Sequence, residues 1–377
     1  MIKKRILLIC SYAPSLTHFR GDFIKDLISN SFDVFCAAPD FDKETENELK
    51  LFGATTLHFP LGRTGLNPFK DLQAMLAIKK IIKTNKIDIV FPYTIKPVLY
   101  GSMAANQTKT AAFSLITGLG YTFSATNLKS KILQKITETL YKLSIRKNKV
   151  IIFQNIDDRQ LFIDRGIISA QQKYDIVNGS GVNLSKYNFR VNENTSDKII
   201  FVFVARLIRE KGTHLFIEAA KVLKSEFPNA EFHVIGSAET SPSAIKLDIL
   251  NKYHNEGVIV YHGRQKNVPE FLSKSDIFVL PTYYREGIPR SILEALSVGM
   301  PVITTNTPGC RETVKNHENG FLIQPQDQNE LISAMEYFLK NPKKIKEMGL
   351  KSRELAENKF DVNIINNKLI EIIKGNY

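Results

Sequence analysis

The sequence predicts an α/β protein with two doubly wound, Rossmann-like domains, and three observations support that prediction. The chain has 377 residues, a length for which two domains are the ordinary expectation. Short apolar runs alternate with amphipathic segments in two separate series, as strands and helices do around a parallel sheet that is covered on both faces. A polar stretch from about residue 173 to residue 196 separates the series, which places the linker there.

The first series accounts for the amino-terminal half of the chain. Six apolar runs predict strands at 6–10, 32–38, 55–59, 87–92, 111–116 and 149–154. Helices are predicted over 18–29, after a polar loop at 11–17, and over 68–85. The acidic stretch at 40–48 predicts a solvated loop. These elements form the first domain, residues 1–178.

The second series begins after the linker. Strands are predicted at 198–205, 231–235, 258–262, 276–280, 301–305 and 320–324, and helices at 213–226, 244–255, 268–273, 291–297 and 329–339. These elements form a second domain, residues 179–360. A last helix, 361–377, is expected to pack back towards the first domain.

Composition limits the classes of partner that the protein can bind and the cellular compartment in which it is expected. The net charge is +13, and residues 1–200 carry 28 basic and 17 acidic side chains, whereas residues 201–377 carry 23 and 21. This basic first half indicates an anionic partner, which could be nucleic acid, anionic lipid or a phosphorylated substrate. No apolar run approaches the ~20 residues that span a bilayer, and the amino terminus lacks the pattern of a signal peptide. The three dispersed cysteines fit a reducing cytoplasm.

The stretch 280–294 carries the most specific signal. It reads Leu-Pro-Thr-Tyr-Tyr-Arg-Glu-Gly-Ile-Pro-Arg-Ser-Ile-Leu-Glu and joins a predicted strand to a predicted helix, with Pro289 suited to the first helical position. Backbone N–H groups near Gly287 and Ile288, together with the helix dipole, favour an anion. The carboxylates of Glu286 and Glu294 then suit neutral hydroxyls of a sugar or a ribose. The alternative is a surface loop followed by an amphipathic helix with a solvated glutamate.

A second motif, Phe-Val-Ala-Arg-Leu-Ile-Arg-Glu-Lys-Gly at 203–212, follows the first strand of the second domain. Arg206 and Lys211 lie in the turn after that strand, and ligands of doubly wound sheets bind at the carboxyl ends of strands. The two cations can neutralise a diphosphate. The alternative is an ordinary solvated loop.

Taken together, these two motifs resemble the retaining glycosyltransferases of family 4, whose signature is Glu-x7-Glu. The resemblance implies the bilobed fold called GT-B, in which two Rossmann-like domains face a cleft. It also implies that Arg206 and Lys211 hold the donor diphosphate, that Glu294 holds the nucleotide ribose and that Glu286 contacts the donor sugar. Arg290 is expected beside them. The loop after 258–262, with Gly263, Arg264 and Val268, would lie against the nucleotide base; an ordinary glycine turn is the alternative.

The resemblance implies a catalytic cycle without a metal or another cofactor, in which a UDP-sugar is the co-substrate. The attacking hydroxyl enters from the side of the leaving group, so that Glu286 is not a nucleophile. Asp40-Phe-Asp42 imitates the metal motif of a different glycosyltransferase fold, but its acidic surroundings favour a solvated loop. No His/Cys cluster indicates zinc.

The first domain is expected to bind the acceptor. Thr17, His18 and Arg20 follow the first strand and could reach a phosphate or the acceptor, although His18 could instead cap or pack at the helix start. Relatives carry a histidine on a loop of this domain near the reaction centre, whereas Tyr93-Thr-Ile-Lys-Pro97 offers Lys96. The stretches 65–69 and 95–97 are similar to those of bacterial surface-polysaccharide and lipid-linked oligosaccharide transferases, which favours a UDP-N-acetylhexosamine donor.

A basic amphipathic helix is predicted within residues 121–149. Seven basic side chains face one acid, Glu138, and apolar residues recur at helical spacing. The helix either binds an anionic membrane or packs in the core with a basic solvent face. The predicted function is therefore hexosyl transfer from a UDP-sugar to a glycan acceptor carried by polyprenyl diphosphate. It would take place in the cytoplasm, peripheral to the inner membrane. The alternatives are a UDP-sugar epimerase of the same fold and, from charge alone, a nucleic-acid-binding protein, which lacks interleaved stacking aromatics.

Overall fold

The computed structural model describes residues 3–62, 65, 67–120, 123, 128–190, 198–237 and 243–377, and for residues 128–130 it describes the backbone only. The chain forms two compact units: Met1–Ser180 together with Val362–Tyr377, here unit 1, and Gly181–Asp361, here unit 2. Of the linker predicted at 173–196, residues 191–196 lie outside the described part. Within that part, no helix is long and apolar enough to cross a membrane.

Unit 1 is built on a parallel sheet whose described strands have the order β3-β2-β1-β4-β5-β6-β7. Successive side chains of the interior strand β1 point to opposite faces of the sheet. Ile6 and Leu8 therefore join one hydrophobic cluster and Leu7 and Ile9 join the other, so both faces of the strand are buried. The strands are β1 Lys4–Ile9, β2 Phe32–Ala38, β3 Thr55–His58, β4 Ile89–Pro92, β5 Ala111–Ile116, β6 Val150–Phe153 and β7 Tyr174–Ile176.

Helices cover both faces of this sheet. One layer contains α1 Pro14–His18, α2 Gly21–Ser29, α3 Lys43–Phe52 and α14 Val362–Lys374. The other contains α4 Pro68–Thr84, α5 Ile95–Thr108, α6 Leu128–Ile145 and α7 Ile156–Asp164. Helix α14 follows unit 2 in sequence, yet its apolar Ile365, Leu369 and Ile373 belong to the core of unit 1, and Asn366 donates a 2.7 Å hydrogen bond to Asp26.

Unit 2 repeats the plan with a parallel sheet whose described strands have the order β10-β9-β8-β11-β12-β13. The central β8 aligns with β11 through the pairs Phe201 with Ile277 and Val202 with Phe278. The strands are β8 Ile199–Val204, β9 Ala230–Ile235, β10 Val260–Tyr261, β11 Ile277–Leu280, β12 Val302–Thr305 and β13 Gly320–Ile323. The helices are α8 Thr213–Glu226, α9 Leu247–Asn255, α10 Val268–Ser273, α11 Arg290–Val298, α12 Gln328–Lys340 and α13 Lys343–Leu355.

Local elements differ from the sequence predictions in four places. The predicted loop 11–17 and helix 18–29 are two helices, because α1 starts at Pro14 and a non-helical Arg20 separates it from α2. The acidic stretch predicted as a loop is helix α3, whose N-cap is Asp42 and whose glutamates suit the positive end of the helix dipole. Pro289 is the N-cap of α11 and not its first residue. The short strand β7 was missed within the predicted linker.

Candidate active site

The candidate site lies at the topological switch point of unit 2. Strand β8 pairs with β9 on one side and with β11 on the other, so the loops that leave β8 and β11 diverge at the carboxyl edge of the sheet. In open α/β sheets, this crevice is where ligands bind. Arg206 and Lys211 follow β8, and Glu286 follows β11. The topology therefore brings together the two motifs that stand 75 residues apart in sequence.

Backbone hydrogen bonds join the two loops. The Glu210 carbonyl accepts the N–H groups of Tyr283 and Tyr284 at 2.9 and 3.1 Å and the Thr282 hydroxyl at 3.0 Å. Gly212 has a φ of +80°, and a Cβ there would lie 2.2 Å from the Pro281 carbonyl oxygen. Only glycine combines that backbone conformation with so close an approach, so this glycine lets the two loops meet.

Lys211 and Glu286 form an ion pair that is largely shielded from water. The Lys211 ammonium donates a hydrogen bond to Glu286, and the two side chains are 10% and 15% exposed. A carboxylate within contact of the lysine keeps the cation in place when the site holds no other anion. The pair therefore places a cation and a carboxylate, which can accept hydrogen bonds, side by side.

Glu294 has a different environment, although it stands only eight positions after Glu286. It lies on α11, where Arg290 donates to it at 3.1 Å, and both side chains are 13% exposed. Burial of Tyr187, followed by the charge of the nearby Glu294 carboxylate, raises the pKa of the Tyr187 phenol. Glu294 is thus paired with one cation and lies near one neutral phenol.

A third loop, after β12, supports the segment between the two glutamates. Gly309 has a φ of +85°, and a Cβ on it would lie 1.9 Å from the Gly287 carbonyl oxygen. Gly287 and Ile288 are buried beneath this contact. The neighbouring Cys310 is fully buried, and burial, with the Glu286 carboxylate as the next cause, raises the pKa of its thiol to about 12. Cys310 is therefore a neutral packing residue beside the site.

The loops after β9 and β10 extend the same edge of the sheet. The Gly236 N–H donates to the Gly263 carbonyl at 2.9 Å. Gly263 has a φ of +66°, and nothing lies within 4 Å of the place where its Cβ would stand, so this position requires the left-handed backbone and leaves an open surface. Arg264 is exposed and Val268 begins α10. Within the described part of the chain, neither residue forms a hydrogen bond or an ion pair with Arg206, Lys211 or the two glutamates.

Known protein families match both units of this chain. The family model described as glycosyl transferases group 1 matches residues 185–355, and the one described as glycosyl transferase 4-like matches residues 5–155. Sucrose-phosphate synthase from Thermosynechococcus elongatus superposes with a TM-score of 0.82 at 16% identity over 99% of both chains. The chain belongs to the glycosyltransferases with the GT-B fold. The predicted fold class and the predicted family resemblance are confirmed.

Several sequence relatives of this glycosyltransferase are bacterial enzymes. The N,N'-diacetylbacillosaminyl-diphospho-undecaprenol alpha-1,3-N-acetylgalactosaminyltransferase of Campylobacter jejuni is 28% identical over 98% of each chain. The capsular polysaccharide biosynthesis glycosyltransferase CapM of Staphylococcus aureus is 26% identical over 97% of this chain and 95% of its own. Among solved structures, Anabaena HepE in complex with UDP-glucose has a TM-score of 0.79 and 17% identity, covering 98% of this chain and 99% of its own. GT-B glycosyltransferases draw their sugar from nucleotide-sugar donors.

The candidates in unit 1 of the glycosyltransferase are placed differently from the expectation. Thr17 and His18 lie within helix α1 and not in a loop, and His18 is exposed. Arg20 is only 2% exposed, and its guanidinium lies 5.6 Å from the centroid of the Tyr93 ring. Lys96 lies in the first turn of α5 and forms a buried 3.0 Å ion pair with Asp71. Lys96 is therefore paired with a carboxylate, as Lys211 is in unit 2, and its acceptor-side role stays a prediction.

Local hydrogen bonds account for Asp40 and Asp42, the two aspartates that resemble an Asp-x-Asp metal motif. Asp40 accepts the Ala13 N–H at 2.8 Å, and Asp42 caps α3 by accepting the Thr45 N–H at 2.7 Å. Among the described residues, no group of three or more His, Cys, Asp and Glu side chains could hold a metal ion. Both aspartates thus serve local folding of unit 1.

Two aromatic residues of the site were missed in the sequence. Tyr284 lies near both Arg206 and Lys211, and Tyr187 lies near Glu294. The doublet Tyr283-Tyr284, directly before Arg285-Glu286, was a visible signal for the first. Tyr187 is more than 100 positions from Glu294, so nothing local indicated the second. Leu66, within the stretch 65–69 that favoured an N-acetylhexosamine, and the side chain of Lys129 lie outside the described residues.

Proposed function

We propose that this enzyme is a retaining hexosyltransferase that moves a sugar, an N-acetylhexosamine, from a UDP-sugar to a glycan acceptor linked to polyprenyl diphosphate. The observation that carries the proposal is the convergence of Arg206, Lys211 and Glu286 at the switch point of unit 2, with Glu294 on the adjoining helix. In addition, the curated relatives named above include an enzyme whose acceptor is a sugar on undecaprenyl diphosphate.

Transfer breaks the bond between the anomeric carbon of the sugar and the β-phosphate oxygen, and negative charge develops on the leaving diphosphate. Preorganised donors aimed at that charge lower the barrier. Arg206 and Lys211 have this role in the proposal, while Glu286 accepts a hydroxyl of the donor sugar and Glu294 a hydroxyl of the ribose. An acceptor hydroxyl forms the new bond on the same face of the sugar, and its proton passes to an oxygen of the leaving phosphate. The configuration is thereby retained.

Two cationic side chains take the place that a divalent ion has in other transferases, so we propose catalysis without a metal or another cofactor. Full activity after dialysis against EDTA is the expected result. An EDTA block that Mn²⁺ or Mg²⁺ restores would overturn this part of the proposal.

Unit 1, including α14, is proposed to bind the acceptor at an anionic membrane surface, and Gly181–Asp361 is proposed to bind the donor. The solvent face of α6 supports the membrane contact. Large aliphatic side chains there are exposed, with Ile132 at 55% and Leu143 at 60%. The same helix carries the exposed cations Lys131, Lys135 and Lys142, and the exposed Arg146 and Lys147 directly follow it. Apolar area and positive charge on one face are the two features that bind a helix to anionic lipid.

Helix α4, in the same layer of unit 1, also exposes apolar side chains. Phe69 is 85% exposed, and Leu72 and Leu76, three and seven positions later, are half-exposed. Helices α4 and α6 both pack on α5 in one layer of unit 1. We therefore propose a peripheral enzyme on the cytoplasmic face of the membrane, docked through the outer faces of these helices.

The activity test incubates the enzyme with a panel of UDP-hexoses and UDP-N-acetylhexosamines, with and without a polyprenyl-diphosphate-linked saccharide. Transfer of label to the lipid, with the anomeric configuration retained, is expected. Interconversion of two UDP-sugars without the acceptor would favour the epimerase, and a salt-sensitive DNA or RNA gel shift that UDP does not affect would favour the nucleic-acid binder.

The membrane test compares matched charge reversals in the two units. Lys131→Glu with Lys142→Glu should weaken flotation with anionic liposomes at low salt by about tenfold or more, since each cation near such a surface contributes about 1 kcal/mol. Lys343→Glu with Lys346→Glu, on exposed positions of α13, changes the net charge equally and should bind almost as wild type. Equal flotation with anionic and neutral liposomes would contradict the proposal.

A further inference from the structure

One aromatic ring lies beside both proposed diphosphate cations. The centroid of the Tyr284 ring is 5.7 Å from the guanidinium carbon of Arg206 and 5.6 Å from the ammonium nitrogen of Lys211. Both distances are within the range in which a cation is attracted by the negative face of an aromatic ring. Arg206 and Lys211 are five residues apart, on different parts of the loop after β8. A residue of the loop after β11 thus contacts both.

The backbone of Tyr284 is fixed to the loop that carries these cations. Its N–H donates to the Glu210 carbonyl at 3.1 Å and lies 3.2 Å from the Thr282 hydroxyl. Glu210 directly precedes Lys211 in sequence. The ring therefore occupies a defined position relative to both cations, and its half-buried environment strengthens the attraction over that at a fully exposed site.

The two cations differ in how else they are held. Lys211 is 8% exposed and is paired with Glu286, whereas Arg206 is exposed and has a long side chain with many rotamers. Ordering such a side chain when a ligand binds costs conformational entropy. An aromatic face that already restricts the guanidinium reduces this cost. The ring also offsets part of the repulsion between two like charges that are held near each other.

We propose that Tyr284 is a positioning residue that holds Arg206 and Lys211 together for the diphosphate of the donor. The inference rests on the proposed function, in which these two cations bind that diphosphate. It assigns the role to the ring face and gives no role to the phenolic hydroxyl. Tyr284 does not touch the reacting atoms in this proposal.

Two substitutions of Tyr284 separate the role of its ring from that of its hydroxyl. Tyr284→Phe keeps the ring face and should retain UDP affinity and kcat/KM for the donor within about twofold. Tyr284→Leu keeps an apolar side chain but removes the ring, and should lower both quantities by about 2- to 10-fold, because the Arg206 side chain must then be ordered only when the ligand binds. The KM for the acceptor should not change, because the acceptor does not meet this ring.

Tyr283→Leu is the matched control. Tyr283 is the adjacent aromatic residue, its N–H bonds to the same Glu210 carbonyl, and its ring meets the edge of the His214 ring at 6.4 Å and not the two cations. The control should retain UDP affinity. Thermal unfolding of all three variants identifies any loss that comes from misfolding, and isothermal titration with UDP supplies the affinity without depending on turnover.

A double-mutant cycle separates positioning from general packing. If Tyr284 acts through Arg206, then Tyr284→Leu should have a smaller effect on UDP affinity in an Arg206→Ala background than in the wild type. Additive effects would overturn the proposal, as would a loss in Tyr284→Phe as large as that in Tyr284→Leu. If Arg206→Ala and Lys211→Ala bind UDP normally, the proposed function fails; if they lose affinity and Tyr284→Leu does not, only this inference fails.

Discussion

The switch points of the two units occupy the same place in the same topology and carry opposite chemistry. In unit 2 the crevice lies between the loops after β8 and β11, and in unit 1 it lies between the loops after β1 and β4. The first pair of loops presents Arg206, Lys211 and Glu286. The second presents mostly neutral hydroxyls. Sheet order therefore fixes where a ligand can bind, and the side chains on the loops decide which ligand it is.

The loops of unit 1 show how the neutral arrangement is built. The hydroxyl oxygens of Ser11 and Thr94 lie 3.1 Å apart, and those of Ser15 and Tyr93 lie 2.9 Å apart. Burial raises the pKa of Tyr93 well above its ordinary value, so this phenol stays neutral. Arg20 is the buried cation beside it. Such a surface suits the hydroxyls of a saccharide, whereas the cations of unit 2 suit a diphosphate.

The largest expected effect comes from removing the cations of the unit 2 crevice, which tests the difference between the two crevices. Arg206→Ala or Lys211→Ala should lower kcat/KM by roughly 10- to 150-fold, because each removes a charge-assisted contact of about 1.5–3 kcal/mol with the diphosphate. Steady-state kinetics with the UDP-sugar is the measurement. Lys221→Ala, an exposed lysine of α8 that is 4.0 Å from Glu218, should have no measurable effect. Near-normal kinetics in both clamp variants would remove the distinction drawn between the two crevices.

A second test addresses strain in the crevice of unit 1. Thr94 has φ 68° and ψ 158°, a conformation that is essentially restricted to glycine and costs other residues about 1–3 kcal/mol. Thr94→Gly should therefore raise the free energy of unfolding by roughly 1 kcal/mol after the entropic penalty of glycine. Thr94→Ala keeps the strain and loses the hydroxyl, so it should be destabilising. Thermal unfolding of the two variants measures the difference.

If that strain serves to aim the Thr94 hydroxyl, Thr94→Gly should also raise the KM for the acceptor while leaving UDP affinity unchanged. A stabilised variant with unaltered acceptor kinetics would show that the crevice of unit 1 is shaped for folding alone. A loss of UDP affinity would contradict the division of labour between the units.

The sequence predicted the crevice of unit 2 better than that of unit 1, for a physical reason. Charged residues such as Arg206, Lys211 and Glu286 are rarely placed without function at the ends of buried strands, and they stand within short, recognisable motifs. The unit 1 crevice depends on hydroxyls with no such pattern and on the backbone conformation of Thr94, which a sequence does not display. The ion pair of Lys96 is hidden in the sequence for the same reason, since its partner Asp71 is 25 residues away and only the packing of α4 on α5 brings the two together.

Apart from β7, the strands were predicted within one or two residues, because buried parallel strands are continuous apolar runs. The errors fell where polar sequence is ambiguous. Helix α3 is acidic, and its identity as a helix depends on the capping carboxylate of Asp42. Helix α1 is five residues long, too short to show a periodic pattern.

Removing one helix cap from each unit should have a smaller effect, which is on stability and of similar size in both units. Asp42 caps α3 in unit 1, and Asp327 caps α12 in unit 2 by accepting the Asn329 and Glu330 N–H groups at 3.0 and 2.9 Å. Replacing either with Ala should cost about 1 kcal/mol of stability, measured by denaturant unfolding, with kcat/KM unchanged. A loss of activity confined to Asp42→Ala would revive the interpretation of residues 40–42 as a metal motif.

The smallest expected effect is a difference in pH dependence that belongs to unit 2. Burial lowers the pKa of His262, with the neighbouring His233 and His254 as further causes, and burial followed by Arg209 lowers the pKa of His214. The folded state therefore takes up protons at lower pH than the unfolded chain, in which histidine titrates near about 6.5. Because the unfolded state binds more protons in that window, the stability of unit 2 should fall as the pH drops below about 6.5 and should be unaffected by these groups above about 7.5.

Hydrogen exchange, corrected for the intrinsic pH dependence, should show faster opening of β9 and β10 at pH 5.5 than at pH 7.5, with β1 and β4 as an internal reference. His262→Gln should reduce that difference, and an unchanged difference in the variant would show that His262 does not contribute to it.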